Sequence, residues 1–170
     1  MPAFRTFRSL LALVLLLSAS TLLAASPRLT TILPRGAQRG QDTELTFSGR
    51  LLADVEEIMF YEPGFSVKEI KPVNANSFKA VISVSPDARL GEQVCQVRTK
   101  TGISDFRTFF VGYMPEVDEK EPNSDFATPQ EIPMNVTVNG VANTEDVDYY
   151  VVEAKKGDRI AAEVEGMRLG

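Results

Sequence analysis

The sequence predicts an all-β protein that opens with a two-sheet β-sandwich. Three observations carry this. Apolar residues alternate with polar ones at a two-residue period over short runs. Clusters of Gly, Pro, Asn, Asp and Ser separate those runs at short intervals. After the N-terminal leader, no window sustains the 3.6-residue apolar stripe of an amphipathic helix. Short strands with frequent turn punctuation are the pattern of a sandwich.

Taken in order, TELTFSG puts Leu45 and Phe47 on one face and Thr46 and Ser48 on the other. EIMFY is the next β-rich run, followed by SFKAVISV, in which Phe78, Ala80, Ile82 and Val84 share a face. EQVCQVRT and RTFFVG complete the set. Between them lie RGAQRGQD, EPGF, VNANS, SPDARLG and KTGISD, all turn-rich. In MFYEPGF, the aromatics Phe60, Tyr61 and Phe65 flank a turn and are assigned to the core rather than to a binding platform. Cys95 alternates with Gln96 and so belongs to a buried strand face, where a lone thiol is inert.

These residues resemble the immunoglobulin-like IPT/TIG family. The shared marks are the opening Pro-x-Leu and Ile-x-Pro-x-Gly of PRLTTILPRG, then Gly40 ahead of a strand ending at Gly49. Pro86 and Gly91 follow, and then the hairpin residues Thr101 and Gly102. The resemblance spans residues 27–112 and implies an Ig-fold domain. It speaks for architecture, and such domains serve extracellular chains as spacers or binding modules.

The first 26 residues read as a secretory leader. Arg5 and Arg8 precede an apolar run from Leu10 to Leu17, and small residues end in Ala24, Ala25 and Ser26. The run is short for a membrane span, and no second long apolar run follows. The protein is therefore expected to be secreted, periplasmic or at the cell surface, with no stable membrane span once the leader is removed.

Composition narrows the chemistry. The chain has no histidine and no tryptophan. That removes the commonest general base, the commonest zinc ligand and Ser-His or Cys-His nucleophilic pairs. The formal net charge is −5. Its distribution is uneven: residues 113–150 hold nine acidic residues and only Lys120. Such a surface disfavours nucleic acid and anionic membranes and favours a cation.

Residues 113–120, YMPEVDEK, read as an acidic linker. Beyond it, a strand is expected near Val136 to Val141. Two alternating strands, DYYVVEA and RIAAEVEG, are expected to be joined by a turn at Lys155, Lys156, Gly157 and Asp158. Asn135-Val136-Thr137 matches a glycosylation sequon too short to weigh. The stretch from Glu-Pro-Asn at 121–123, through Ala127, Gly140 and Asp-x-Asp-Tyr-Tyr at 146–150, resembles the start of the bacterial pre-peptidase C-terminal domain. That family includes the collagen-binding modules of clostridial collagenases. The resemblance implies a second, jelly-roll-like β-sandwich carried only in part by residues 121–170. The chain would then be the N-terminal part of a longer exported bacterial protein, because half a sandwich leaves an open edge and a bare apolar face.

Around this junction the acidic residues follow a pattern. Glu119, Glu121 and Asn123 alternate along an extended segment and so fall on one side, stiffened by Pro122. Ser124 or Asp125 adds a further oxygen, and Asp146 and Asp148 share a side on a second element. Hard cations such as calcium take six to eight oxygen ligands of these kinds. The family resemblance implies the same role for Glu119, Glu121, Asn123, Glu145 or Asp146, and Asp148. Ser124 departs from the family, whose calcium-binding members often have Asp there, which removes one ligand charge. The other reading of the cluster is a solvated acidic linker beside ordinary strand-end aspartates.

The resulting expectation is a non-catalytic binding, adhesion or spacer region, with calcium stiffening the domain junction and an extracellular polymer or protein as ligand. The alternative is the accessory region of a secreted hydrolase, a peptidase above all, whose catalytic domain lies further along. A structural envelope protein built of repeated sandwiches is a third reading.

Overall fold

The computed structural model describes residues 26–166, so residues 1–25 of the expected leader lie outside the described residues. Every regular element among the described residues is a β-strand, and the protein is all-β. The strands are β1 (Arg28–Leu33), β2 (Gly36–Gln38), β3 (Asp42–Arg50), β4 (Val55–Phe60), β5 (Phe65–Asn74), β6 (Ser77–Val84) and β7 (Gly91–Thr99). They continue with β8 (Gly102–Ile103), β9 (Arg107–Gly112), β10 (Glu116–Asp118), β11 (Gln130–Glu131), β12 (Thr137–Asn139) and β13 (Tyr150–Val151). No helix among the described residues is long and apolar enough to cross a membrane.

The first nine strands make a sandwich. One sheet has the order β1-β3-β6-β5, and the other has β2-β9-β7-β4 with β8 added to β7. The alternation that predicts each strand also sets its burial. In β6, Phe78, Ala80, Ile82 and Val84 point inward, and in β7, Gln93, Cys95, Val97 and Thr99 do. Phe47 of β3 pairs in register with Phe78 of β6, and their rings stack 4.8 Å apart. From the other sheet come Ile58, Val97, Phe109 and Val111. Each fully buried side chain of this size contributes about 1.5–3 kcal/mol relative to exposure.

The N-terminal strand changes sheets. β1 pairs antiparallel with β3, and β2 pairs parallel with β9, so the chain crosses from one sheet to the other at Pro34 and Arg35. Pro34 has no amide hydrogen and cannot continue the ladder, which places the break there. At Gly49, a Cβ would lie 1.8 Å from the Arg28 carbonyl oxygen, so only glycine permits the close passage of β1. At the far edge of the same sheet, β5 is mostly exposed. Register shifts between Val67 and Glu69 and between Pro72 and Asn74, with Lys68 and Lys71 alongside, blunt that edge against pairing with another chain.

The aromatics around residues 60–65 divide. Phe60 and Phe65 stack 4.7 Å apart and pack on the core against Phe109. Tyr61 is exposed and donates its hydroxyl to Gln96 Oε1 at 2.7 Å.

Past Gly112 the strands shorten. The expected linker carries β10, which pairs parallel with β12 in register Glu116 to Thr137. β11 pairs parallel with β13. This second part touches the sandwich at β2: a Cβ on Gly36 would sit 2.9 Å from Glu116 Oε1 and 3.3 Å from Asn139 Oδ1. The Glu116 carboxyl is half-buried there, and burial pushes its pKa up against the opposing hydrogen bond from Asn139.

The expected hairpin of DYYVVEA and RIAAEVEG differs from what is found. Its turn forms, with the Asp158 amide bonded to the Lys155 carbonyl at 3.0 Å and Gly157 at φ 104°. Only Tyr150 and Val151 are strand, and residues 152–166 have no regular structure. Ile160 and Val164 are exposed, the latter at 91 %. Alternation alone does not hold a strand, which needs a neighbour to take its backbone hydrogen bonds and a surface to cover its apolar face.

The core generates two predictions. Phe78→Ala should destabilise the chain by about 3–5 kcal/mol, read by urea unfolding. Burial also pushes the Cys95 thiol up to about 12, so a thiol-reactive dye at mildly alkaline pH should label it only after unfolding. Rapid labelling of the folded chain would contradict this placement.

Candidate metal centre

The carboxylates of Glu119, Glu121 and Asp148 converge, each with an oxygen within 4.8 Å of the others. Two elements bring them together. Glu119 immediately follows β10, and Asp148 lies two residues before β13. The backbone between them is tied at several points. The Glu119 amide bonds the Asn139 carbonyl at 3.0 Å, and the Tyr149 amide bonds the Asn123 carbonyl at 2.9 Å. The Gln130 side chain accepts from the Lys120 amide at 2.7 Å and donates to the Asp118 carbonyl at 3.0 Å.

Glu119 is the most constrained of the three. Its Oε1 accepts from the Tyr150 hydroxyl at 2.6 Å and from Asn123 Nδ2 at 3.2 Å. Its Oε2 accepts from the Val141 amide at 2.8 Å. Gly140 leaves room for this carboxylate, since a Cβ there would meet it at 3.1–3.2 Å. These donors, Tyr150 first and then the Val141 amide, hold the Glu119 carboxyl below the usual carboxylate range. The same contact, after burial, pushes the Tyr150 phenol well above its ordinary value.

Asp148 shows the opposite balance. Burial, followed by the charges of Glu119, Asp146 and Glu121, pushes its carboxyl up. Its Oδ1 is buried and has no hydrogen-bond partner. The same holds for Oδ1 of Asn123, a residue with no exposed surface whose side-chain amide reaches Glu119. Buried oxygens without donors are costly, and a cation is one group that would satisfy them. Two bare unit charges about 4 Å apart repel by about 1 kcal/mol in water and about 4 kcal/mol at an effective dielectric of about 20. Three convergent carboxylates beside the buried Asn123 amide are the donor type a hard cation takes, in a shell of six to eight oxygens.

The remaining expected ligands are not part of this close triple. Asp146 accepts from the Ser124 hydroxyl at 3.0 Å and from the Asn143 amide at 3.2 Å. These contacts, the Asn143 amide foremost, hold its carboxyl low without any ion. Glu145 is exposed at φ 62°, in the turn before β13. Ser124 thus serves the site's framework by holding Asp146, and Asp125 caps its own turn by accepting from the Ala127 amide at 2.9 Å.

Sequence reasoning missed Tyr150 and the Val141 amide. A signal for Tyr150 was available: it stands two residues after Asp148, on the same side of an extended chain. For the Val141 amide there was none, because a backbone donor leaves no mark in residue type.

Comparison with known proteins adds little. No family model matches the chain. No curated protein matches it. Among solved structures, the chain is similar to the Bacteroides ovatus mixed-linkage glucan utilization locus SGBP-B, in complex with a mixed-linkage heptasaccharide. The TM-score is 0.42 at 14 % identity, and the match covers 65 % of this chain and 26 % of that one. The chain thus spans about a quarter of that protein's length, and a likeness this loose carries no argument about function.

The charge balance at Asp148 generates a prediction. A carboxyl with a raised folded pKa is harmless while protonated and destabilises the fold as pH rises from its ordinary value through the raised one. Asp148→Asn should therefore raise the melting temperature in chelator at neutral pH, and the gain should vanish in acid. Glu119, held low, works in the other direction: its contribution is present at neutral pH and lost as pH falls through its lowered value. Lower stability of Asp148→Asn at neutral pH would contradict the assignment.

Proposed function

We propose that this chain is a non-catalytic extracellular region in which a β-sandwich is joined to a second β-module through a calcium-stiffened seam. The observation that carries the reading is the convergence of Glu119, Glu121 and Asp148 beside a fully buried Asn123 with an unpartnered carbonyl oxygen. Calcium there would draw oxygen ligands from the segment after β10 and from the approach to β13. It would replace repulsion by attraction and fix one part of the chain against the other. The IPT/TIG-like and pre-peptidase-like resemblances support the same picture of an exported, modular protein that spaces or presents a binding surface. Its ligand class would be an extracellular polymer or protein.

The carboxylates serve this role better than acid–base chemistry. Glu119 is clamped by three donors and has no proton to give at neutral pH. A general acid or base needs instead to exchange a proton with a positioned substrate. A secreted hydrolase with its catalytic domain further along would use the same seam as an accessory joint.

The test is thermal unfolding in chelator and then with calcium. Calcium at about ten times its dissociation constant should add about 1.4 kcal/mol to stability. The shift should disappear in the triple variant Glu119→Gln, Glu121→Gln, Asp148→Asn. An equal shift in that variant, or none in the unsubstituted chain, would sink the reading.

A further inference from the structure

The seam's carboxylates differ in how they are held. Glu121 is exposed, and its Oε2 accepts only from the Asn123 amide at 3.0 Å among the bonds described for it. Asp148 carries an unpartnered Oδ1. Glu119 has a side-chain hydroxyl on it that comes from β13, 31 residues along the chain. At 2.6 Å the contact is a short, charge-assisted hydrogen bond. Tyr150 and Asn123 both donate to Oε1, and Oε2 takes the Val141 amide. The phenol is thus one of three donors that fix the rotation of the Glu119 carboxylate.

Tyr150 also links the site to strand pairing. It begins β13, whose partner β11 is placed by Gln130, and the Gln130 amide bonds the Tyr149 carbonyl at 2.8 Å. On the far side of the same ladder the Ile132 amide bonds the Val151 carbonyl at 3.0 Å. Gln130 in turn holds Lys120 and Asp118, the neighbours of Glu119, through its side chain. The loop Tyr150–Glu119–Lys120–Gln130–Tyr149 thus closes on itself, with one link made by the phenol.

We propose that Tyr150 is a positioning residue for calcium at this seam: its hydroxyl orients Glu119 for the ion and couples ion binding to the β11–β13 ladder. The proposal rests on the calcium reading above. A group that holds a ligand without touching the ion lowers the ordering cost of binding, and loss of such a partner typically weakens metal affinity roughly 10–100-fold. Tyr149, its neighbour, packs its ring edge-on against Phe126 at 6.0 Å and serves as the control.

The experiment is calorimetric titration with calcium of the unsubstituted chain, Tyr150→Phe and Tyr149→Phe, alongside melting in chelator and amide exchange. Tyr150→Phe removes one hydrogen bond to Glu119, so the chelator melting temperature should fall only slightly. Its calcium dissociation constant should rise roughly 10–100-fold, whereas Tyr149→Phe should bind like the unsubstituted chain. Calcium should slow exchange of the Gln130 and Ile132 amides in the unsubstituted chain, and by less in Tyr150→Phe. An unchanged dissociation constant in Tyr150→Phe overturns the positioning role and leaves the calcium site standing. Weakening only in step with a large fall in the chelator melting temperature also overturns it. No binding to the unsubstituted chain overturns both.

Discussion

The second part of this molecule is organised around the carboxylate of Glu119. Its two oxygens take hydrogen bonds from three separate stretches of chain: Asn123 just beyond it, Val141 after β12, and Tyr150 on β13. Among the described residues no ladder in this part exceeds three residue pairs, so backbone pairing alone is a thin scaffold. The polar network around Glu119 supplies the registration that long strands supply in the sandwich. The same network draws two further carboxylates to within 4.8 Å, which is why local order and charge repulsion are built into one place.

The sandwich rests on a different kind of interaction. Its strands are long, their inward residues come from both sheets, and stacked Phe47 and Phe78 knit β3 to β6 across the ladder. The two parts meet where bulk is absent. Gly36 leaves space for Glu116 and Asn139, so the junction is polar and narrow rather than a continuation of the apolar core. A joint of this kind depends on the groups beside it for stiffness, and the charged cluster lies one residue beyond the strand that makes the contact.

How far this was legible in the sequence follows from the length and burial of each element. SFKAVISV and EQVCQVRT announce β6 and β7 because every second residue is buried. FSVKEIKPVN gave no such sign for β5, an exposed edge strand interrupted by two register shifts. RIAAEVEG shows the reverse error, a strand-like pattern that finds no neighbour among the described residues. In the site, alternation put Glu119, Glu121 and Asn123 on one side, and the structure brings Glu119 and Glu121 close to Asp148. Residue type gave no sign that Asp146 would accept from Ser124 and the Asn143 amide. The hydroxyl of Tyr150 could be suspected from spacing, whereas the Val141 amide could only be seen in three dimensions.

The central claim is that Glu119, Glu121 and Asp148 form one cation site beside Tyr150. Terbium luminescence addresses it directly, because the chain has no tryptophan and four tyrosines. Excitation of tyrosine should yield terbium emission that saturates at one equivalent and is displaced by calcium. Emission that fails to saturate, or that calcium leaves untouched, would contradict the account.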